Sequence, residues 1–173
     1  ETEEHAVARG ARIPAVLAGS ANTSDAHHVT APCPDGAGAA ACMRRALARA
    51  GKKPADIGYI NAHGTSTVLG DKAETLAIKA VFGGRDSAPP ISATKSATGH
   101  LMGAGGLTEA VACIKAIQEG ILPPTLHLDT PDPDCDLDYV PHTARKVQIT
   151  AAMTNSLGFG GQNSSIILSR YQK

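Results

Sequence analysis

"DIGYINAHGTSTVLGDKAETLAIKAVFGG", residues 56–84, is the stretch that sets the fold class. "DIGYINA" is a short apolar run with turn signals after it, the pattern of a buried strand. "GDKAETLAIKAVFGG" reads as a helix starting near Asp71, with acidic residues in the first turn that suit the positive end of the dipole. Between them stand a histidine, a glycine and three hydroxyl side chains, His63 to Thr67. Turn chemistry alone accounts for these: Asn61 and Ser66 as turn residues, Gly64 as a tight bend, His63 as a cap. Partners elsewhere in the chain decide between that reading and a functional one.

Working outward, the same strand-to-helix alternation recurs. "RIPAVLAGSANT" (12–23) reads as a strand, "GAGAAACMRRALARAG" (36–51) as a helix ending at Gly51, and "PPISATKSATG" (89–99) as a strand leading to a loop. "GGLTEAVACIKAIQEG" (105–120) is a further helix closed by Gly120, "DTPDPDCDLDYVP" (129–141) an irregular Pro- and Asp-rich excursion, and "AAMTNSLGFGGQNSSIILS" (151–169) two apolar stretches around a glycine turn. Alternation of this kind predicts a layered α/β fold. "GAGAAA" lacks the GK[ST] ending of a phosphate loop and is read as tight helix packing. "ETEEHAVARGARI" (1–13) reads as the last turns of a helix, so the chain is expected to begin inside an element of a longer protein.

With 16 basic and 16 acidic residues the formal charge is zero, which gives no footprint for nucleic acid or an anionic membrane surface. Cys33, Cys42, Cys113 and Cys135 are scattered, with neither disulfide nor zinc spacing. No secretory leader and no long apolar run is evident, so a soluble protein is expected, and the four scattered thiols point to the cytoplasm.

Three loops join a strand-like run to unusual polar groups: "NAHGTST" (61–67), "TKSATGHLMGAGG" (94–106) and "NSLGFGGQN" (155–163). Ligands in α/β sheets bind at the carboxyl ends of strands, where three such loops would converge. His63 and His100 are the histidines flanked by glycine in these loops, and Lys95 precedes His100 by five residues. Two neutral imidazoles can donate N–H bonds to a developing enolate oxygen, while a nearby ammonium keeps them neutral and steers a carboxylate. Gly160 and Gly161 would allow close backbone approach and lend N–H groups to an oxyanion hole. On the residues alone, His63 and His100 read equally well as catalytic groups and as caps or core histidines.

"NAHGTST" with "GDKAE", "TKSATGHLMGAGG", "PPTLHLDTPDPDCDLDYVPHTAR" and "NSLGFGGQNSS" together resemble the C-terminal half of a type II, elongating β-ketoacyl-acyl-carrier-protein synthase, in order and across residues 1–173. The resemblance implies one half of a two-lobed thiolase-like α/β/α fold that works as a homodimer. It also implies decarboxylation of malonyl carrier protein followed by Claisen condensation with an acyl-enzyme thioester. His63 and His100 match the family's catalytic histidines, Lys95 its catalytic lysine, and Glu109 the acidic partner of that lysine in a charge network extended here to Glu74. Thr65 and Thr67 match hydroxyls that bind the phosphopantetheine arm. Phe159, with Gly160, matches the gating turn whose N–H lines the acyl oxyanion hole. The substrates ride on the 4'-phosphopantetheine of acyl carrier protein, and the chemistry requires neither a further cofactor nor a metal. Glu74 and Asn61 are nevertheless read as candidate ligands of a structural cation.

The chain departs from the family pattern in having no Thr-Ala-Cys-like turn for the nucleophile, which the resemblance places in an N-terminal half absent here. It is therefore expected to be inactive without that half. Leu157 and Gln162 stand where the family often has Phe and Thr, which bears on pocket shape. Polyketide ketosynthases are similar, and a chain-length-type partner or a carrier-protein binding module are further alternatives. Against the chain-length-type partner stand both histidines. A thiolase is disfavoured because "GFGGQNSS" lacks the second cysteine. His27 and His28 are read as structural rather than lining the arm entrance, and His5, His127 and His142 as surface or loop residues.

Overall fold

The computed structural model describes residues 1–172. Twelve helices and strands follow in the order α1 (Glu3–Ala8), β1 (Val16–Ser24), α2 (Ala37–Arg49), β2 (Tyr59–Asn61), α3 (Val68–Phe82), β3 (Ile91–Ser92), α4 (Lys95–Thr98), α5 (Gly105–Glu119), β4 (Ile121–Leu122), β5 (Arg145–Lys146), β6 (Ala151–Gly158) and β7 (Gln162–Ser169). Five strands form one sheet in the order β1-β7-β6-β2-β3, and β4 pairs with β5 apart from it. β7 runs antiparallel to both β1 and β6, whereas β6, β2 and β3 are mutually parallel. The parallel strands deliver their carboxyl ends, and the loops after them, to one edge of the molecule.

Side-chain alternation divides the core into two layers. Ile60, Ile91, Met153 and Ile167 face Met43, Leu47, Ile78 and Phe82 of α2 and α3. Tyr59, Ala152 and Leu168 face Cys113, Ala116 and Ile117 of α5 on the opposite side. A helix–sheet–helix sandwich results, the α/β/α layering expected from the alternation. At Gly36 a Cβ would lie 2.3 Å from the carbonyl oxygen of Ala73, so the small residues that open α2 serve close packing on α3.

Several boundaries differ from the sequence reading. β1 starts at Val16, because Pro14 has no N–H to give a ladder. α3 starts at Val68, three residues before Asp71, whose side chain instead accepts the N–H of Ser66 (3.2 Å). The stretch after β3 is not a plain loop, since Lys95–Thr98 closes a helical turn. α1 begins at Glu3, where the hydroxyl of Thr2 accepts the N–H of His5 (3.3 Å). The excursion at 129–141 is strapped to α3 by Lys72 on Asp134, Lys79 on Asp136, and Thr75 on the hydroxyl of Tyr139. Among the described residues no helix is long and apolar enough to cross a membrane.

Candidate active site

His63 stands two residues beyond β2, and His100 two residues beyond α4. Their ring centroids are 5.5 Å apart and the rings meet edge to face at 85°. Two loops separated by more than thirty residues thus bring the two imidazoles together, which a capping role for either would not require.

The backbone of the first loop is held from below. Glu74 of α3 is buried, and its two carboxylate oxygens accept the N–H groups of His63 and Gly64, each at 3.0 Å. Asn155 Nδ2 donates to the same carboxylate at 3.4 Å, and Ser165 donates to Asn155 Oδ1 at 2.8 Å. Burial raises the Glu74 carboxyl, and the two N–H groups oppose that rise. This corrects the cation reading: Glu74 is filled by backbone donors, and Asn61 bonds elsewhere, to Tyr59 and Thr94. Gly64 has a φ of +41°, and a Cβ there would stand 2.5 Å from that of Ala93. The turn therefore packs directly on the residue that leads from β3 towards Lys95.

Lys95 and Glu109 form a buried ion pair, their side chains 7% and 3% exposed. Burial pushes the Glu109 carboxyl upward against the pull of the ammonium, and Glu109 Oε2 has no donor among the described residues. Burial first, then Lys95, then His100 lower the His63 imidazole to about 4, so it is neutral at pH 7. His100 is exposed, and its Nδ1 accepts the N–H of Met102 at 3.2 Å. A neutral His100 in that bond carries its proton on Nε2 and can donate from there. The neutral His63 imidazole beside a fixed ammonium suits stabilisation of a developing oxyanion.

Thr65 and Thr67 lie on the same loop, their hydroxyls 3.3 Å apart. Phe159 sits at the tip of the β6–β7 hairpin and is 77% exposed. The glycine turn differs from expectation in one respect. Gly160 donates its N–H to the carbonyl of Val29 (2.6 Å), so that donor is already committed inside the chain. Gly161 accepts the N–H of Asp25 at 2.8 Å, and the Asp25 carboxylate takes Asn163 Nδ2 (2.7 Å) and the N–H of Cys33 (2.9 Å).

No described cysteine is an activated nucleophile. Cys42 and Cys113 are buried on helix faces; hydrogen bonding to Asp35 raises Cys33, and burial raises Cys113 and Cys135. His28 is structural, its Nδ1 accepting the N–H groups of Thr30 and Ala31 at 3.1 Å. A cavity of about 290 Å³ lies between the 64–68 turn, α3 and the excursion, and neither His63 nor His100 lines it. Sequence reasoning missed the buried side-chain network of Tyr59, Asn61, Ser92 and Thr94. Its signal was there as polar groups at alternating positions along two strands.

The family model for the β-ketoacyl synthase C-terminal domain matches residues 14–129. The chain is 52% identical over 171 residues to 3-oxoacyl-[acyl-carrier-protein] synthase 2 of Rhizobium meliloti, covering 99% of this chain and 40% of that protein. It is 49% identical over 172 residues to the protein of the same name from Synechocystis, covering 99% and 41%. A solved structure described as a type II polyketide synthase acyl-carrier protein in complex with its ketosynthase bound to the hexaketide superposes with a TM-score of 0.95. It shares 41% identity and is matched over 99% of this chain and 42% of that one. The chain spans about two fifths of the length of these relatives. With its thiolase-like layering and these matches, the chain belongs to the β-ketoacyl synthase family and corresponds to its C-terminal domain.

Proposed function

We propose that residues 1–173 are the malonyl-activating half of a β-ketoacyl-acyl-carrier-protein synthase in fatty-acid elongation. The observation that carries this reading is the edge-to-face pair of His63 and His100 beside the buried Lys95–Glu109 pair. A malonyl thioester placed with its carbonyl oxygen at the imidazole N–H groups would lose carbon dioxide as the electron pair of the breaking C–C bond delocalises onto that oxygen. His63 and His100 stabilise the enolate that forms. The enolate carbon then attacks an acyl thioester on a cysteine of the N-terminal half. The cysteine leaves as its thiolate.

Thr65 and Thr67 bind the phosphopantetheine arm in this reading, and Phe159 gates the acyl side. Burial, and Lys95 after it, keep His63 neutral, and Lys95 steers the malonyl carboxylate. The partners are acyl carrier protein, the N-terminal half and a second copy of the whole enzyme, in the cytoplasm. No resident cofactor or metal is called for, and the chain alone does not condense. Support for fatty-acid elongation comes from the 49–52% identity to two 3-oxoacyl synthases. A polyketide ketosynthase is the second reading, favoured by the 0.95 TM-score to one.

The test is His63→Ala in the protein joined to its N-terminal half. Malonyl-carrier decarboxylation should fall by about a hundredfold or more. A rate near that of the unmodified enzyme removes His63 from the mechanism.

A further inference from the structure

β2 and β3 are three and two residues long, so very few backbone bonds set how far one advances past the other. The structure answers with side chains. Ser92 and Tyr59 join hydroxyl to hydroxyl at 2.6 Å, Asn61 Nδ2 donates to the Tyr59 hydroxyl at 3.2 Å, and the same nitrogen donates to Thr94 Oγ1 at 3.0 Å. All four side chains are buried, Tyr59, Asn61 and Ser92 completely. Tyr59 and Asn61 alternate along β2, and beside them stand Ser92 of the adjacent parallel strand β3 and Thr94 two residues beyond it, on the sheet face that α5 covers with Cys113. His63 is the next alternate residue beyond Asn61, and Lys95 follows Thr94 directly. Apolar residues of the same size would fill this space without the cost of desolvating four polar groups, yet would accept a slipped register as readily as the right one. Hydrogen-bonded partners reject the slip, because each would be left unsatisfied.

We propose that Tyr59, Asn61, Ser92 and Thr94 are positioning residues that fix the His63 loop relative to the Lys95 turn, with the Asn61–Thr94 bond as the final link. The consequence for catalysis rests on the condensing-enzyme reading above. The positional claim does not, because it concerns the spacing of two loops whatever they act on.

The test is Thr94→Val in the full-length protein, with Thr94→Ser as the conservative control. Two quantities are read: kcat and KM for malonyl-carrier decarboxylation per folded site, and the titration midpoint of His63 by NMR of labelled histidine. Lys95 and His100 act on that imidazole, while Glu109 is paired with Lys95 and Glu74 holds the His63 backbone N–H. With Thr94→Val, kcat is expected to fall about ten- to hundredfold with little change in KM, as for a small misplacement of reacting groups. The His63 midpoint should move up towards its ordinary value as Lys95 and the covering structure draw away. Thr94→Ser should restore both. If Thr94→Val does not fold, Ser92→Ala, one link further from the site, takes its place with the same expectations. A fall in thermal midpoint with the His63 titration unmoved overturns the proposal and leaves the network a structural one. If the unmodified protein shows no decarboxylation, the functional reading fails, and the His63 titration still decides the positional claim.

Discussion

The two histidine loops meet at their tips but are built in opposite ways. His63 is part-buried on a turn whose N–H groups are clamped by a buried carboxylate and whose glycine rests on Ala93. His100 is exposed, between Gly99 and Met102, both at positive φ, with one hydrogen bond from Met102 N–H to its ring. Leu101, Met102 and Leu107 beside it are exposed as well. The first imidazole is set by the domain itself. The second is held by little more than its own loop, beside exposed apolar side chains.

The contrast breaks most visibly at Glu74. Replacing it with Leu leaves the part-buried N–H groups of His63 and Gly64 without their acceptor at about 1–3 kcal/mol each, so urea unfolding should register a loss of about 2–6 kcal/mol. A loss below about 1 kcal/mol would mean that the His63 turn does not depend on this clamp. Next comes Gly64→Ala, which forces a Cβ against Ala93 at positive φ and should cost about 1–3 kcal/mol in the same assay.

Acid sharpens the comparison further. The folded-state value of His63 lies below that of an unfolded histidine, so the unfolded chain takes up a proton first as pH falls. Stability should therefore drop between about 6.5 and about 4, and this contribution should be flat above pH 7. Glu74 and Glu109, both raised, act in the opposite sense, so the difference between unmodified and His63→Gln protein isolates the histidine. A pH-independent difference would place His63 in solvent. The smallest effect is expected across the cleft, where His100→Ala should change stability by no more than about 0.5 kcal/mol, as for an ordinary surface site. A penalty comparable to that of Gly64→Ala would show the two loops to be equally anchored and end the contrast.

Much of this was legible before any coordinates. The glycine-flanked histidines marked their loops because a tight turn after a strand needs such residues, and Lys95 and Glu109 turned out paired as the family resemblance implied. The clamp on the His63 turn was not legible, since Glu74 spends its carboxylate on backbone N–H groups that are the same for every residue. The start of α3 was obscured by Val68 and Leu69, apolar yet 77% and 61% exposed, with no hydroxyl capping the helix from Thr67. Nor could composition reveal that the Gly160 N–H is taken by Val29, because that bond joins segments 131 residues apart. Tertiary hydrogen bonds of this sort leave no periodic trace.

The clasp between Asp25 and the glycine turn bears on how this domain can vary over generations. Asp25 touches Gly161, Asn163 and Cys33 at once, and a Cβ on Gly38 would fall 1.9 Å from its carboxylate. Residues 25–33 and the hairpin that carries Phe159 are thus one mechanical piece, and an insertion or deletion in that segment is transmitted to the aromatic tip. The exposed stretch 130–134 of the Pro- and Asp-rich excursion is tied down at its end by the surface pair of Lys72 and Asp134. Length changes among homologues should therefore accumulate there, and diversification of the acyl side should proceed through side-chain replacement on a backbone of constant length.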